Sequence, residues 1–335
     1  MTKQKFTHIE TLRGFAILLV VMGHVIGSTP AGGMKIDFPS PWRYLYLWID
    51  YIQMPLFTTI AGWVYAIKPA TGENFKPFLW KKAYRLLIPM ATVGTLYFLI
   101  QYITPGTNTK GHFIDIWRIY IFPYTIYWYL PSLFLIFLFM AYTDKQGYAT
   151  YFRQWKWVMA ISLAGMFLQI VWIPNSVPNL FSFKGALLQW PYFVVGVGLH
   201  RFPRQIWTSS TQKVYIAGAL TGLLVLQFEW FYPLYKNPFY ECIQPIFIIC
   251  LLTVLLQQKT SYRFLTWLGT YAYSIYLFHG FGTAGGRIIL TRLGVHTEVA
   301  IFLFALSISV FMPILLEIFL QKWKITRFLF LGKNK

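Results

Sequence analysis

Arg13 and His24 stand in an apolar stretch that otherwise runs unbroken from Leu12 to Ile26. In a helix, eleven positions turn the chain through about 1100°, which returns to within roughly 20° of the starting direction. Both side chains are therefore expected on one helix face. The rise between them is about 16 Å, roughly half of a hydrocarbon core about 30 Å thick. One face is thus expected to hold a permanent cation near a membrane surface and an imidazole near the midplane. A neutral imidazole there can accept a proton, and a guanidinium can hold an anionic group. Each residue also has a plainer reading. Arg13 fits a snorkelling anchor, or an ion pair with Glu10 or Glu317, and His24 fits a structural histidine with its hydrogen bonds satisfied.

Other residues out of place in apolar surroundings follow the same logic, because ionisable groups in lipid usually face a cavity or a partner. Lys82 and Arg85 lie three apart on one helix face, where a point charge and a planar fork can grip a phosphorylated ligand. Positive-inside anchoring is the plainer reading, and accounts for Lys81 and extends to Lys82. Glu317 is expected at the depth of Arg13, either as its ion-pair partner or orienting it toward a ligand. His279, in the Tyr273–His279 phrase, is placed toward the opposite leaflet, where it caps a helix or meets a substrate. Asp50, Glu229 and Glu241 are expected near outer span ends and suit a vestibule that hydrogen-bonds a polar acceptor. Trp128 fits packing on a ligand or an interfacial anchor. The sequence carries no phosphate-binding Gly-rich loop, His-Glu-x-x-His, Gly-x-Ser-x-Gly or dinucleotide fingerprint. No metal is expected.

The elements that must position these residues are membrane spans. The 335 residues are 57% hydrophobic and 12% charged, a balance that excludes an ordinary soluble domain. A net charge of +19 would suit a nucleic-acid partner if the cations formed a stripe or tail, but they fall between apolar runs. No nucleic-acid partner is expected, and membrane lipids are. Ten runs are long enough to cross a bilayer: 11–28, 43–67, 85–104, 123–143, 156–173, 183–200, 213–231, 239–257, 264–281 and 297–320. Counting cations at alternate connections puts 21 of the 29 on the amino-terminal side and 8 on the other, which predicts both termini in the cytoplasm. The expected fold is an all-α polytopic bundle of about ten transmembrane helices. The first span, preceded by Lys3 and Lys5 without a small-x-small cleavage pattern, is expected to be retained. Cys242 and Cys250 are expected as core thiols.

Taken together, these phrases resemble the acyltransferase-3 family of integral membrane proteins, which move acyl groups onto cell-envelope glycans. The resemblance rests on Leu12-Arg13-Gly14-Phe15-Ala16 with His24, on Met54-Pro55-Leu56-Phe57 with Ala61-Gly62, and on Lys82 to Arg85. Trp128-Tyr129-Leu130, Gly196 to Arg201, Tyr273 to His279 and Glu317 continue it along almost the whole chain. One departure is Lys82, where the family often has arginine. A second is that no run fits the fused extracytoplasmic transferase domain of some members.

The resemblance implies residues 1–335 as one transmembrane acyltransferase domain of a bacterial cytoplasmic membrane. It implies acetyl-CoA or another acyl-CoA as donor, held at Arg13, Lys82 and Arg85 with Glu317 orienting Arg13. An envelope glycan or lipid-linked saccharide is the implied acceptor, with Trp128, His279, Asp50 and Glu241 as its expected contacts. His24, with Arg13, is the implied catalytic group, as general base or as a transient acyl carrier. The competing expectation is a ten-span transporter or exporter of an acyl group or glycan, against which the lack of visible repeats counts.

Overall fold

The computed structural model describes residues 6–107, 112–231 and 238–334. Lys3, Lys5, Lys110, Lys236 and Lys335, which entered the charge count, lie outside them. Among the described residues the chain is helical without strands. Its helices are α1 (Thr7–Ile26), α2 (Pro41–Ile67), α3 (Phe75–Ile103), α4 (Arg118–Ile121), α5 (Tyr129–Lys145), α6 (Phe152–Val171) and α7 (Phe183–Arg201). They continue with α8 (Pro203–Ile206), α9 (Ser209–Phe231), α10 (Pro238–Leu256), α11 (Arg263–Arg292), α12 (Glu298–Leu320) and α13 (Lys324–Leu331). The long helices, all but α4, α8 and α13, fall on the ten expected runs.

Among the described residues, six stretches are long and apolar enough to cross a membrane: α1, α3, Phe113–Lys145 ending in α5, α9, Phe239–Leu256 in α10, and α12. The helices α2, α6, α7 and α11 are long enough but more polar. For α2, α7 and α11 the reason is position, since protein rather than lipid surrounds much of their length.

Local chemistry sets the helix ends near the site. Gly27, at φ 90°, donates its N–H to Gly23 O and stops α1. Ser40 accepts from Arg43 N–H and starts α2, with Pro41 in the first turn where its missing donor is harmless.

Two glycine crossings set the packing. A Cβ on Gly14 would lie 1.9 Å from Leu265 O, and one on Gly269 would lie 2.1 Å from Glu10 O, so α1 and α11 touch backbone to backbone. Gly62 and Gly196 do the same between α2 and α7, where an added Cβ would come within 2.0 Å of Phe193 O and 1.9 Å of Thr59 O. The Gly196–Arg201 phrase is thus a packing element that ends in an ion pair, with Arg201 gripping both Asp144 oxygens at 2.7 Å. Around the α1–α11 pair pack α2 and α12, and α13 folds back onto α3.

Candidate active site

His24 occupies the last turn of α1, two residues before the helix ends. The neighbouring Gly23 lies against Gln53 and Ile49, near the middle of α2, so the ring is at mid-bundle depth although its own helix stops there. Facing it is His279, midway along α11, with ring centroids 5.0 Å apart. His279 is fully buried, and its Nδ1 lies 2.8 Å from Tyr276 O and 3.0 Å from Ile275 O. His279, expected toward the opposite leaflet, stands on the face of α11 that meets α1 and is the neighbour of His24.

A cavity of about 280 Å³ opens on His24, lined also by Gly27, Thr29, Gly33, Tyr97, Gln101, Thr125 and Thr283. Its roof is the α1–α2 connection, and Arg43 holds that roof. Only 1% exposed, Arg43 donates to Gly27 O at 2.6 Å, Ile36 O at 2.7 Å and Thr29 O at 2.8 Å. Sequence reasoning counted Arg43 as an outer topology cation. The signal it overlooked was an arginine two residues inside a capped helix, just after a glycine-rich connection whose carbonyls need donors.

The cations gather at the opposite end of the bundle. Arg13 bonds both oxygens of Glu10, at 2.9 and 3.0 Å, three positions earlier on the same helix face. Lys82 stands over the Phe137 ring at 3.8 Å and lies within electrostatic reach of Arg85 and Arg13. Arg85 sits 4.0 Å above Tyr273 and donates to Leu331 O at 2.7 Å, while Tyr273 Oη donates to Arg85 O. Arg13, Lys82 and Arg85 thus share one end of the bundle.

Glu317 does not orient Arg13. It is 5% exposed and accepts from Ser274 at 2.5 Å, Gln321 at 2.6 Å and Lys333 Nζ at 2.6 Å. The physical reason is competition. Glu10 reaches Arg13 from within its own helix, while α13 folds back and delivers Lys333 to Glu317. Lys333 entered only the count of cytoplasmic-side cations, and nothing in its spacing signals the fold-back.

At the end of the bundle remote from α13 lies a second cavity, of about 950 Å³, at the upper end of the usual range for small-molecule sites. Asp50, Glu229, Glu241 and Trp128 line it together, with Gln169, Gln189, Gln244, Tyr192, Tyr240 and Trp172. Tyr240 donates to Glu229 at 2.6 Å, and Asp50 accepts from Gln53 at 2.8 Å and Tyr46 at 3.1 Å. Carboxylates, amides and aromatic faces in one wall suit a ligand rich in hydroxyls. His24 does not line this cavity. Gln53 links the two regions, since it bonds Asp50 while its amide oxygen lies against Gly23.

A family model described as an acyltransferase domain matches residues 6–318. No curated protein and no solved structure matches the chain.

Proposed function

The chain belongs to the acyltransferase-3 family and is an acyltransferase built as a multi-pass membrane protein, and from that premise we propose that it carries an acetyl group from cytoplasmic acetyl-CoA to a hydroxyl of a cell-envelope saccharide. In this reading all ten long helices span the bacterial cytoplasmic membrane, with both termini inside. Of the four more polar ones, α2, α7 and α11 cross at the centre, where protein replaces lipid as their surroundings, and α6 packs on the outside against α7. Carriage without transfer, the competing expectation, is not favoured by the family membership.

One arrangement carries the reading: the cations gather at the start of α1 while His24 lies near its other end in its own cavity, with the carboxylate-lined cavity on the same far side of the bundle and joined to it through Gln53. The phosphates of the donor dock at Arg13, Lys82 and Arg85, as charge-assisted contacts favour. The pantetheine arm then reaches inward toward His24, about 16 Å along α1 from Arg13. The saccharide enters from the other side, with Asp50, Glu241 and Trp128 on its path. His24 accepts the hydroxyl proton as the oxygen attacks the thioester carbonyl, a contribution of typically about 10²–10⁴-fold. An acyl-His24 intermediate uses the same geometry in two steps.

The test compares envelope-glycan acetylation, by mass spectrometry, in strains carrying the wild-type protein or His24→Ala at equal abundance. Loss of acetylation with acetyl-CoA binding retained by the purified variant is the expected result. Undiminished acetylation refutes the assignment.

A further inference from the structure

The wall behind His24 holds a group that the reading above leaves without a task. His279 Nδ1 lies 2.8 Å from Tyr276 O and 3.0 Å from Ile275 O, and carbonyl oxygens only accept, so Nδ1 carries a proton and donates it. A neutral imidazole protonated at Nδ1 has a bare lone pair on Nε2. That Nε2 is buried and meets no hydrogen-bond partner among the described residues. A buried acceptor of this kind costs free energy wherever it stays unpaired, so its retention calls for an explanation. Two tyrosine hydroxyls of this region are committed elsewhere: Tyr276 donates to Ile126 O, and Tyr127 donates to Leu277 O at 2.9 Å. The ring packed against it, 5.0 Å between centroids, is His24.

We propose that His279 is the positioning partner of His24: its Nε2 accepts the N–H of the His24 ring, so that the other His24 nitrogen presents its lone pair to the cavity. The proposal rests on His24 being the proton acceptor of the transfer reaction. A lone imidazole in a cavity exchanges its two tautomers and rotates, and only one arrangement aims a lone pair at an incoming hydroxyl. His279 selects that arrangement, because its own tautomer is locked by the carbonyls of α11. It takes the place that a carboxylate holds behind the histidine of a catalytic triad, but without placing a charge beside the base.

The step balances without any further reagent. The hydroxyl proton passes to the cavity-facing nitrogen of His24 as the acceptor oxygen bonds to the thioester carbonyl carbon. The C–S bond then breaks, and the thiolate leaves with the proton that His24 returns. Throughout, the second N–H of His24 stays on His279 Nε2, which spreads the transient imidazolium charge over two rings.

Two measurements test this. In the first, the full-length protein is labelled with ¹⁵N-histidine in lipid bilayers and read by solid-state NMR, with assignments from His24→Ala and His279→Gln. The expected spectrum shows His279 protonated at Nδ1 and bare at Nε2, with a correlation across an N–H···N bond to His24. A proton on His279 Nε2, or no correlation between the rings, overturns the proposal without requiring any variant to be active. The second measurement follows CoA release from acetyl-CoA in native membranes that carry the natural acceptor. His279→Leu is expected to lower kcat about 10–100-fold, the usual cost of removing a group that orients a functional histidine, and to leave KM for acetyl-CoA where it was. His279→Gln, whose Oε1 can accept the same N–H, recovers part of the loss. A wild-type kcat in His279→Leu, or a defect confined to KM, overturns the pairing. If His24→Ala itself keeps the wild-type rate, the reading of His24 as base fails as well. If His24→Ala is inactive and His279→Leu is not, only the pairing fails.

Discussion

Substituting Gly14 by alanine is expected to damage both stability and catalysis, although the residue touches no substrate. A Cβ there would lie 1.9 Å from Leu265 O, while ordinary contact begins at 3.4 Å, so α1 and α11 must separate by about 1.5 Å at that point. No side chain can swing away, because the obstacle is backbone, and the reciprocal contact of Gly269 with Glu10 O opens at the same time. Overpacking of this kind costs about 1–3 kcal/mol, and a contact that cannot repack belongs at the upper end. The same two helices carry His24 and His279, and a misplacement of about 1 Å can cost about 10²-fold in rate. The assay measures thermal unfolding in detergent and acetyl transfer per mole of folded protein. Gly285, on the same α11 with open space around its added Cβ, is the control. Gly285→Ala should be neutral or stabilising by about 0.5–1 kcal/mol, since it removes backbone freedom from a helix interior. A Gly14→Ala protein as stable and as fast as Gly285→Ala would refute the argument that this crossing sets the site.

Two further outcomes follow from the geometry. Arg85→Ala, which removes a guanidinium from the cation cluster, should raise Kd for acetyl-CoA about 10–100-fold, whereas the exposed Arg153→Ala should leave it unchanged; equal effects in an equilibrium binding measurement would reduce Arg85 to a topology anchor. Arg43→Lys offers one ammonium where a fork served three carbonyls, and should cost about 2 kcal/mol in thermal unfolding while making His24 more accessible to an imidazole-modifying reagent; unchanged accessibility would detach Arg43 from the cavity roof.

The helices were largely legible from hydropathy, because an apolar run of about twenty residues has few other fates. The helices hardest to class as spans are α2, α7 and α11, where glycines and polar residues dilute the apolar signal, and these form the centre of the bundle. Arg13, Lys82 and Arg85 were legible as a cluster because cations at one depth must share one end of the molecule. The partner of Glu317 was not, because it depends on how α13 returns after α12, and no local pattern records that. His279 was visible as an anomaly, but its contact with His24 was not, since helix periodicity gives a face without saying what the face meets.

Residue order alone therefore determined which side chains are costly to bury and how far apart they lie along each helix, because rise and rotation per residue are constants of the α-helix. It determined the 16 Å step from Arg13 to His24 and the asymmetry of charge between the two ends. Only the tertiary structure decided the partners that come from different helices or from beyond them: Lys333 for Glu317, and His279 for His24. The physical reason is that partnership depends on which helices come into contact. Those contacts are set by backbone crossings at Gly14, Gly269, Gly62 and Gly196, whose meaning appears only when the opposing carbonyl is in place.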